Sequence, residues 1–462
     1  MRLTIGKKAN VNYLAKIVRI TQFKPHTDPE VTRLKACVVD GFNILCGIDS
    51  EPGLYVYFPV ACCLNPDFLR YANLYRHKEL NADPEQSGMF EDNGRVKAIR
   101  LRGELSEGFI LPAVMLENYV LSVTNVGLKC EEGTEFDIVE HDGKTFWINK
   151  KYIPKRIQGA PGMGGKTAKQ PKGIDKIIEN QFRFHYDTTL IKKCPHVIKP
   201  TDIISITEKV HGTSGISSRV MCNPIAYAHW YEKAMVKLIQ FFGGSTTMAG
   251  VYDYIYASRT VIKNQFFNKK VSNGFYGVDV WKYADDVIKP WLQKGMTIYY
   301  EIVGYLPNGG YIQKGYDYGC IPPEKPEDYQ YGVHFEVLVY RITLTNVDGN
   351  VHEFSAREVQ QWCKNNGLQC VDQYYYGYAS HLYPDLDLGE HWNENFLQRL
   401  ANDKNFNMEL NSPTCKNKVP HEGIVIKIEN MKSEAFKLKC FKFLDAEGKA
   451  LDKGESNIED EA

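Results

Sequence analysis

From residue 10 to about 150, apolar and polar positions alternate in short bursts: Tyr13–Ile20, Leu34–Val39, Phe42–Ile48 and Tyr55–Pro59. A period of two marks strands with one buried face, and Asp40-Gly41 between two such runs is a hairpin turn. Short strands at this spacing predict a small β-barrel over residues 1–150. The pattern changes after Ile174, where β-branched runs (Asp202–Thr207, Met296–Val303, Val333–Thr343, Gly423–Ile428) alternate with helical stretches. Ser355 with Glu358 is a capping box that predicts a helix to Asn366, ended by Gly367. The second half therefore reads as an α+β domain with antiparallel or mixed sheets over residues 174–445.

Between the halves, residues 151–173 are rich in Pro, Gly, Lys and Gln, the composition of a basic flexible linker. Within it Ala160–Thr167 has the outline of a phosphate-binding loop, but no hydrophobic strand precedes it, and Pro171 and Gly173 follow where a helix is required. Residues 446–462 read as an acidic, solvated tail. The chain has 462 residues and formal charge +0, and Glu455, Glu459, Asp460 and Glu461 hide a local basic excess elsewhere. Global charge thus does not decide for or against a polyanionic partner. Arg95, Lys97, Arg100 and Arg102 cluster in Gly94–Arg102, which fits a charged edge strand and an RNA-contacting surface equally well. The 12 cysteines include adjacent Cys62 and Cys63 but no CxxC pair, so reduced thiols are expected rather than disulfides or a zinc ribbon. No apolar run is long enough to cross a bilayer and no signal peptide is evident, which leads us to expect a cytoplasmic or nuclear protein.

The stretch richest in chemistry runs from Ile203 to Gly215, where a buried strand leads into Lys209-Val210-His211-Gly212. A lysine between a strand and a glycine turn is placed at a pocket floor, where a desolvated amine can attack phosphate; a strand-end surface lysine has the same local pattern. Downstream come Ser258-Arg259, Glu301 ending the strand MTIYY, the aromatic strand Val333–Ile342, Glu422-Gly423 opening IVIKIE, and Lys437-Leu438-Lys439. In this order the segments resemble motifs I, Ia, III, IIIa, IV and V of the covalent nucleotidyltransferase superfamily of ligases and capping enzymes, over roughly Ile174–Phe443.

The resemblance implies a fold and a site. The fold is an N-terminal OB-like β-barrel followed by an adenylyltransferase (ATP-grasp-like nucleotidyltransferase) domain. Lys209 would form a lysyl–AMP with ATP, and Lys437 and Lys439 would contact the α-phosphate and complete the catalytic set. A lysine with an unperturbed pKa of about 10.4 needs nearby cations or a metal to be neutral at pH 7. Glu208, Arg259, Glu301, Phe335 and Glu422 would bind the nucleotide, with Phe335 stacking on adenine. Glu301 and Glu422 would also hold Mg²⁺ or Mn²⁺ through water. Two positions depart from the family pattern: His211 replaces the usual motif I aspartate, and Arg341 follows Tyr340 where an acid is common.

Capping enzymes and DNA ligases of the superfamily carry an OB domain after motif V; here the β-rich half comes first. The chain is thus similar to the RNA ligase 5-like branch with an N-terminal OB domain. That branch implies a monomer, without membrane association, that joins RNA 3′-OH and 5′-phosphate ends at nicked or bridged sites. A capping-type guanylyltransferase, a DNA ligase and a non-catalytic RNA-binding protein remain alternatives, separable by nucleotide and substrate preference.

Overall fold

In the computed structural model, the described residues are 1–7, 9–154, 177–223, 230–243, 250–263, 276–430 and 433–454. Residues 155–173 of the expected linker, with the loop-like Ala160–Thr167, and the end of the expected tail, residues 455–462, lie outside them. Among the described residues no helix is long and apolar enough to cross a membrane.

The N-terminal half is β-rich, as the alternation predicts. Strands β1 (Ala15–Ile20), β2 (Leu34–Val39), β3 (Phe42–Gly47), β4 (Gly53–Phe58) and β5 (Phe109–Pro112) precede helix α1 (Ala113–Thr124) and β6 (Glu135–Phe136). Asp40-Gly41 joins β2 to β3, with Asp40 at φ 51°. Such a positive φ is what a two-residue hairpin turn demands and what Asp tolerates better than bulky residues. The ladders are β5–β4–β1–β6 and a hairpin sheet containing β2 and β3, with further short pairings. Among the described residues these ladders do not close into a barrel. Alternation specifies buried faces but not ring closure, which also needs matched stagger and tilt.

The other half holds two sheets. A five-stranded sheet runs β7 (Thr189–Leu190), β16 (Ser433–Lys439), β15 (Gly423–Glu429), β8 (Ile203–Glu208), β14 (Gln373–Tyr378). A six-stranded sheet follows β10 (Val251–Ser258), β9 (Thr213–Cys222), β11 (Met296–Gly304), β12 (Phe335–Thr345), β13 (Val351–Glu353), with Gln369–Cys370 paired to β12. Helix α2 (Val280–Ile288) packs on the second sheet, burying Trp281 and Ile288 with Ile298, Tyr300 and Val337. Helix α3 (Ala356–Asn366) begins at the Ser355–Glu358 capping box and ends at Gly367 in the left-handed region. The architecture is mixed α+β with antiparallel and mixed sheets.

Two expectations change. The segment from 446 does not begin as a tail: helix α4 (Phe441–Asp452) continues through it. Its acids find partners there, since Asp452 pairs with Arg95 at 2.6 Å and Lys97 at 2.8 Å. For that reason Arg95 is 5% exposed, and Arg100 lies over the Phe441 ring at 4.6 Å. These basic residues of Gly94–Arg102 therefore clamp the C-terminal helix, rather than guarding a solvated edge. The second change is at Glu301, which does not end its strand: β11 runs on to Gly304 across a register shift at Tyr299/Tyr300.

Candidate functional site

The two sheets enclose a cleft with Lys209 at its floor. Because β8 is flanked by β15 and β14, its end is fixed by ladders on both sides, and Lys209 extends the pairing by donating its N–H to Gly423 O at 2.9 Å. The chain then turns at Gly212, where a Cβ would meet Ile302 O at 2.6 Å and Glu301 Oε2 at 3.2 Å. Only glycine lets the turn approach β11 this closely. Tyr318 braces the turn: its hydroxyl donates to His211 O at 2.8 Å and accepts from His211 N–H at 3.1 Å.

Lys209 Nζ lies 2.7 Å from Glu422 Oε1, and the Glu422 side chain is wholly buried. Lys439 Nζ is 3.4 Å from the same oxygen, and His211 Nδ1 is 3.3 Å from the other. One buried carboxylate is thus surrounded by two ammonium groups and an imidazole, the compensation that burying a charge requires. The imidazole has Tyr316 and Phe443 rings edge-on at 4.8 and 4.9 Å. His211, where the motif resemblance leads one to expect an aspartate, thus sets an imidazole rather than a further acid beside Glu422.

A second cationic group sits along the cleft. Lys437 Nζ and Arg259 Nη2 both donate to Asp187 Oδ1, at 2.8 and 2.9 Å. Burial alone would raise the Asp187 carboxyl, but Lys437 and Arg259 hold it well below the usual carboxylate range. Burial lowers the Lys437 ammonium against the opposing pull of Asp187. Glu208 is 3% exposed; burial pushes its carboxyl up to about 7, against a hydrogen bond from Thr414. His185 stacks on Tyr186, and burial with Arg259 and Arg341 nearby lowers it to about 3, so the ring is neutral.

The cleft, with an empty volume of ≈ 1140 Å³ out to its open mouth, is lined by Glu208, Lys209, Arg259, Glu301 and Lys437 together with Tyr340 and Val425. Glu422 and Lys439 stand behind this wall, next to Lys209. Phe335 is elsewhere: 2% exposed in the core, it stacks on Tyr329 with centroids 4.7 Å apart. The aromatic of β12 that reaches the cleft is Tyr340, with its hydroxyl 3.1 Å from Ser214 Oγ; Tyr186 lines the cleft as well. Its neighbour Arg341 forms a bidentate pair with Glu353 at 2.8 and 2.9 Å and lies over the Tyr299 ring at 4.5 Å. Among the described residues, four buried polar atoms on the lining of this cleft have no hydrogen-bond partner: His185 Nδ1, Glu208 Oε2, Thr213 Oγ1 and Arg341 Nη1. Sequence reasoning missed Asp187, His185 and Tyr186, which lie on an irregular stretch without periodic signal. Tyr340 and Arg341 were in view as a motif departure but not assigned to the site.

A second cavity, with an empty volume of ≈ 1410 Å³, opens between this half and the N-terminal half. Asn10, Asn12 and Glu107 line it from one side, and Asp187, Arg259, Lys437 and Lys439 from the other.

Two sheets closing on a lysine, with Arg259 and Lys437 along the cleft, make a site suited to an anionic ligand. The family model described as RNA ligase matches residues 202–444, more than half of the chain, so the chain belongs to the RNA ligase family. No curated protein matches. Solved structures of Naegleria gruberi RNA ligase share the fold. One, a lysine-to-alanine variant with ATP and Mn, is 14% identical with TM-score 0.52, covering 95% of this chain and 99% of that one. Another, with pyrophosphate, is 16% identical with TM-score 0.52, covering 95% and 100%. An aspartate-to-alanine variant without ligand is 14% identical with TM-score 0.54, covering 95% and 99%.

Proposed function

We propose that this RNA ligase uses ATP, forms a covalent AMP intermediate on Lys209, and joins RNA 3′-OH and 5′-phosphate ends. The observation that carries the reading is Lys209 itself, at the floor of the cleft between the two sheets, with Arg259 and Lys437 lining it and Lys439 behind. Lys209 Nζ attacks the α-phosphorus of ATP; the new N–P bond replaces the bond to pyrophosphate. AMP then passes to an RNA 5′-phosphate, and a 3′-OH displaces it to form the phosphodiester. Arg259 and Lys437 stabilise charge on the reacting phosphate. Tyr340 and Val425 offer apolar faces to the base. The partnerless donor Arg341 Nη1, together with His185 Nδ1 and the Glu208 carboxyl, suits the polar edges of a nucleotide.

Among the described residues no group of three or more His, Cys, Asp or Glu forms a metal cage. Mg²⁺ or Mn²⁺ would supply charge neutralisation at the phosphates. Glu301, on the cleft wall, suits it through water. Glu422 is off the cleft lining, with its Oε1 already facing Lys209 and Lys439, so its position supports a metal role less than that of Glu301 does.

The N-terminal half acts as an OB-like module that grips RNA at the second cavity, for nicked or bridged substrates. The 12 free cysteines fit a reducing compartment, cytoplasm or nucleus. Incubation with α-labelled ATP and metal should give a labelled protein band that GTP does not give. RNA nicks should then be sealed in preference to DNA nicks. A band with GTP in place of ATP would favour a capping-type guanylyltransferase, and no band with either would end the ligase reading.

A further inference from the structure

Four donors from the two halves of the chain converge on one carboxylate. Asp187 Oδ1 accepts from Arg259 Nη2 at 2.9 Å and Lys437 Nζ at 2.8 Å. Its Oδ2 accepts from Asn10 Nδ2 at 2.7 Å and Asn12 Nδ2 at 3.2 Å. The carboxylate lies where the two cavities meet, because Asp187, Arg259 and Lys437 line both. Two cations and two amides facing two oxygens form the donor set that phosphate selects, through charge-assisted hydrogen bonds from several directions. Residues 182–188 form no strand or helix, so the Asp187 side chain can leave without breaking a ladder.

The geometry points to a phosphate site built from Asn10, Asn12, Arg259 and Lys437, whose centre Asp187 fills as an internal anion until a terminal phosphate displaces it. A carboxylate and a phosphate cannot share the cradle, because like charges at contact repel. Displacement follows binding. Two sources carry this chemistry: the 5′-phosphate of RNA, entering by the second cavity, and the pyrophosphate end of ATP, entering by the first. The naming of these sources rests on the ligase reading; the donor set does not. In either case the N-terminal half touches the phosphate directly, through Asn10 and Asn12.

The test titrates the full-length chain by calorimetry at fixed salt, with inorganic pyrophosphate and with an RNA strand bearing a 5′-phosphate or a 5′-hydroxyl. Asp187→Ala and Asp187→Asn should each bind a phosphate probe more tightly than wild type, on the order of tenfold. Adding Asn10→Ala to Asp187→Ala should reverse part of that gain. A positioning role for Asp187 predicts the opposite sign, so a gain cannot come from structural damage. Tightening with pyrophosphate alone assigns the site to ATP; tightening with 5′-phosphate RNA alone, relative to its 5′-hydroxyl twin, assigns it to the RNA end; both together mean that it serves each in turn. Unchanged or weaker binding of both probes, or opposite signs from the two Asp187 substitutions, would overturn the proposal. Binding is read without turnover, so a wild-type chain that takes no label from ATP would sink the ligase reading and leave this result legible.

Discussion

Lys209 reaches from the cleft to the buried carboxylate of Glu422. With Glu422 wholly buried and Lys209 Nζ 2.7 Å away, removing the lysine still leaves the carboxylate facing Lys439 and His211. Lys209→Ala should therefore abolish covalent AMP labelling while the melting transition stays cooperative; labelling that persists would move the nucleophile elsewhere. Glu208, one residue earlier, predicts a pH effect. Its carboxyl is raised from 4.5 to about 7 in the folded chain, so the folded state holds a proton that the unfolded state releases. The resulting stabilisation is complete below the unfolded value and is lost as pH rises through about 7. In urea unfolding, wild type should lose on the order of 1–3 kcal/mol relative to Glu208→Gln between pH 4.5 and 8. Parallel pH profiles for the two proteins would show that the proton is not held.

At the level of the element, β16 carries Lys437 and Lys439 two positions apart, hence on one face. They nonetheless serve different walls. Lys437 reaches both cavities beside Asp187, whereas Lys439 lines only the second and pairs with Glu422 and, at 3.8 Å, Glu447. Lys437→Ala should chiefly slow AMP loading and Lys439→Ala the joining of a pre-adenylylated end, each by about 10²–10³. Single-turnover rates for both steps would separate them, and equal effects on both steps would remove the division. Strand grammar made β8, β11, β15 and the α3 capping box legible, because each rests on local periodicity or a local cap. It could not say which aromatic on β12 meets the cleft. Phe335 stacks under Tyr329 in the core, and the register shift opposite Tyr299/Tyr300 leaves Tyr340 unpaired in the ladder, so that Tyr340 and Arg341 both line the cleft. Asp187 was beyond reach for another reason: its partners Arg259 and Lys437 lie 72 and 250 residues away, brought to it only by tertiary folding.

Across the whole molecule, the halves are joined through side chains far apart in sequence. Lys192 meets Glu107 at 2.6 Å, and Arg95 holds the end of α4 through Gly448 O at 2.9 Å and Asp452 at 2.6 Å. Arg95→Ala leaves that end of the helix with one cation and should cost about 1–3 kcal/mol, the range for removing a partner from a buried hydrogen-bonded group. Nick sealing should fall more than AMP loading, since the ends to be joined need both halves aligned. An equal fall in both rates would mean that α4 supports the lysine site alone.

Helix α4 also gives the molecule a built-in spectroscopic gauge. Its Phe443 ring stands edge-on to the His211 imidazole, while its far end is pinned to the opposite half by Arg95 and Lys97. Aromatic ring currents fall off steeply with distance, so the imidazole proton resonances of His211 should shift whenever the helix tilts. Following that one signal by NMR while nucleotide or RNA is added would record how the halves move relative to each other, with no dye attached.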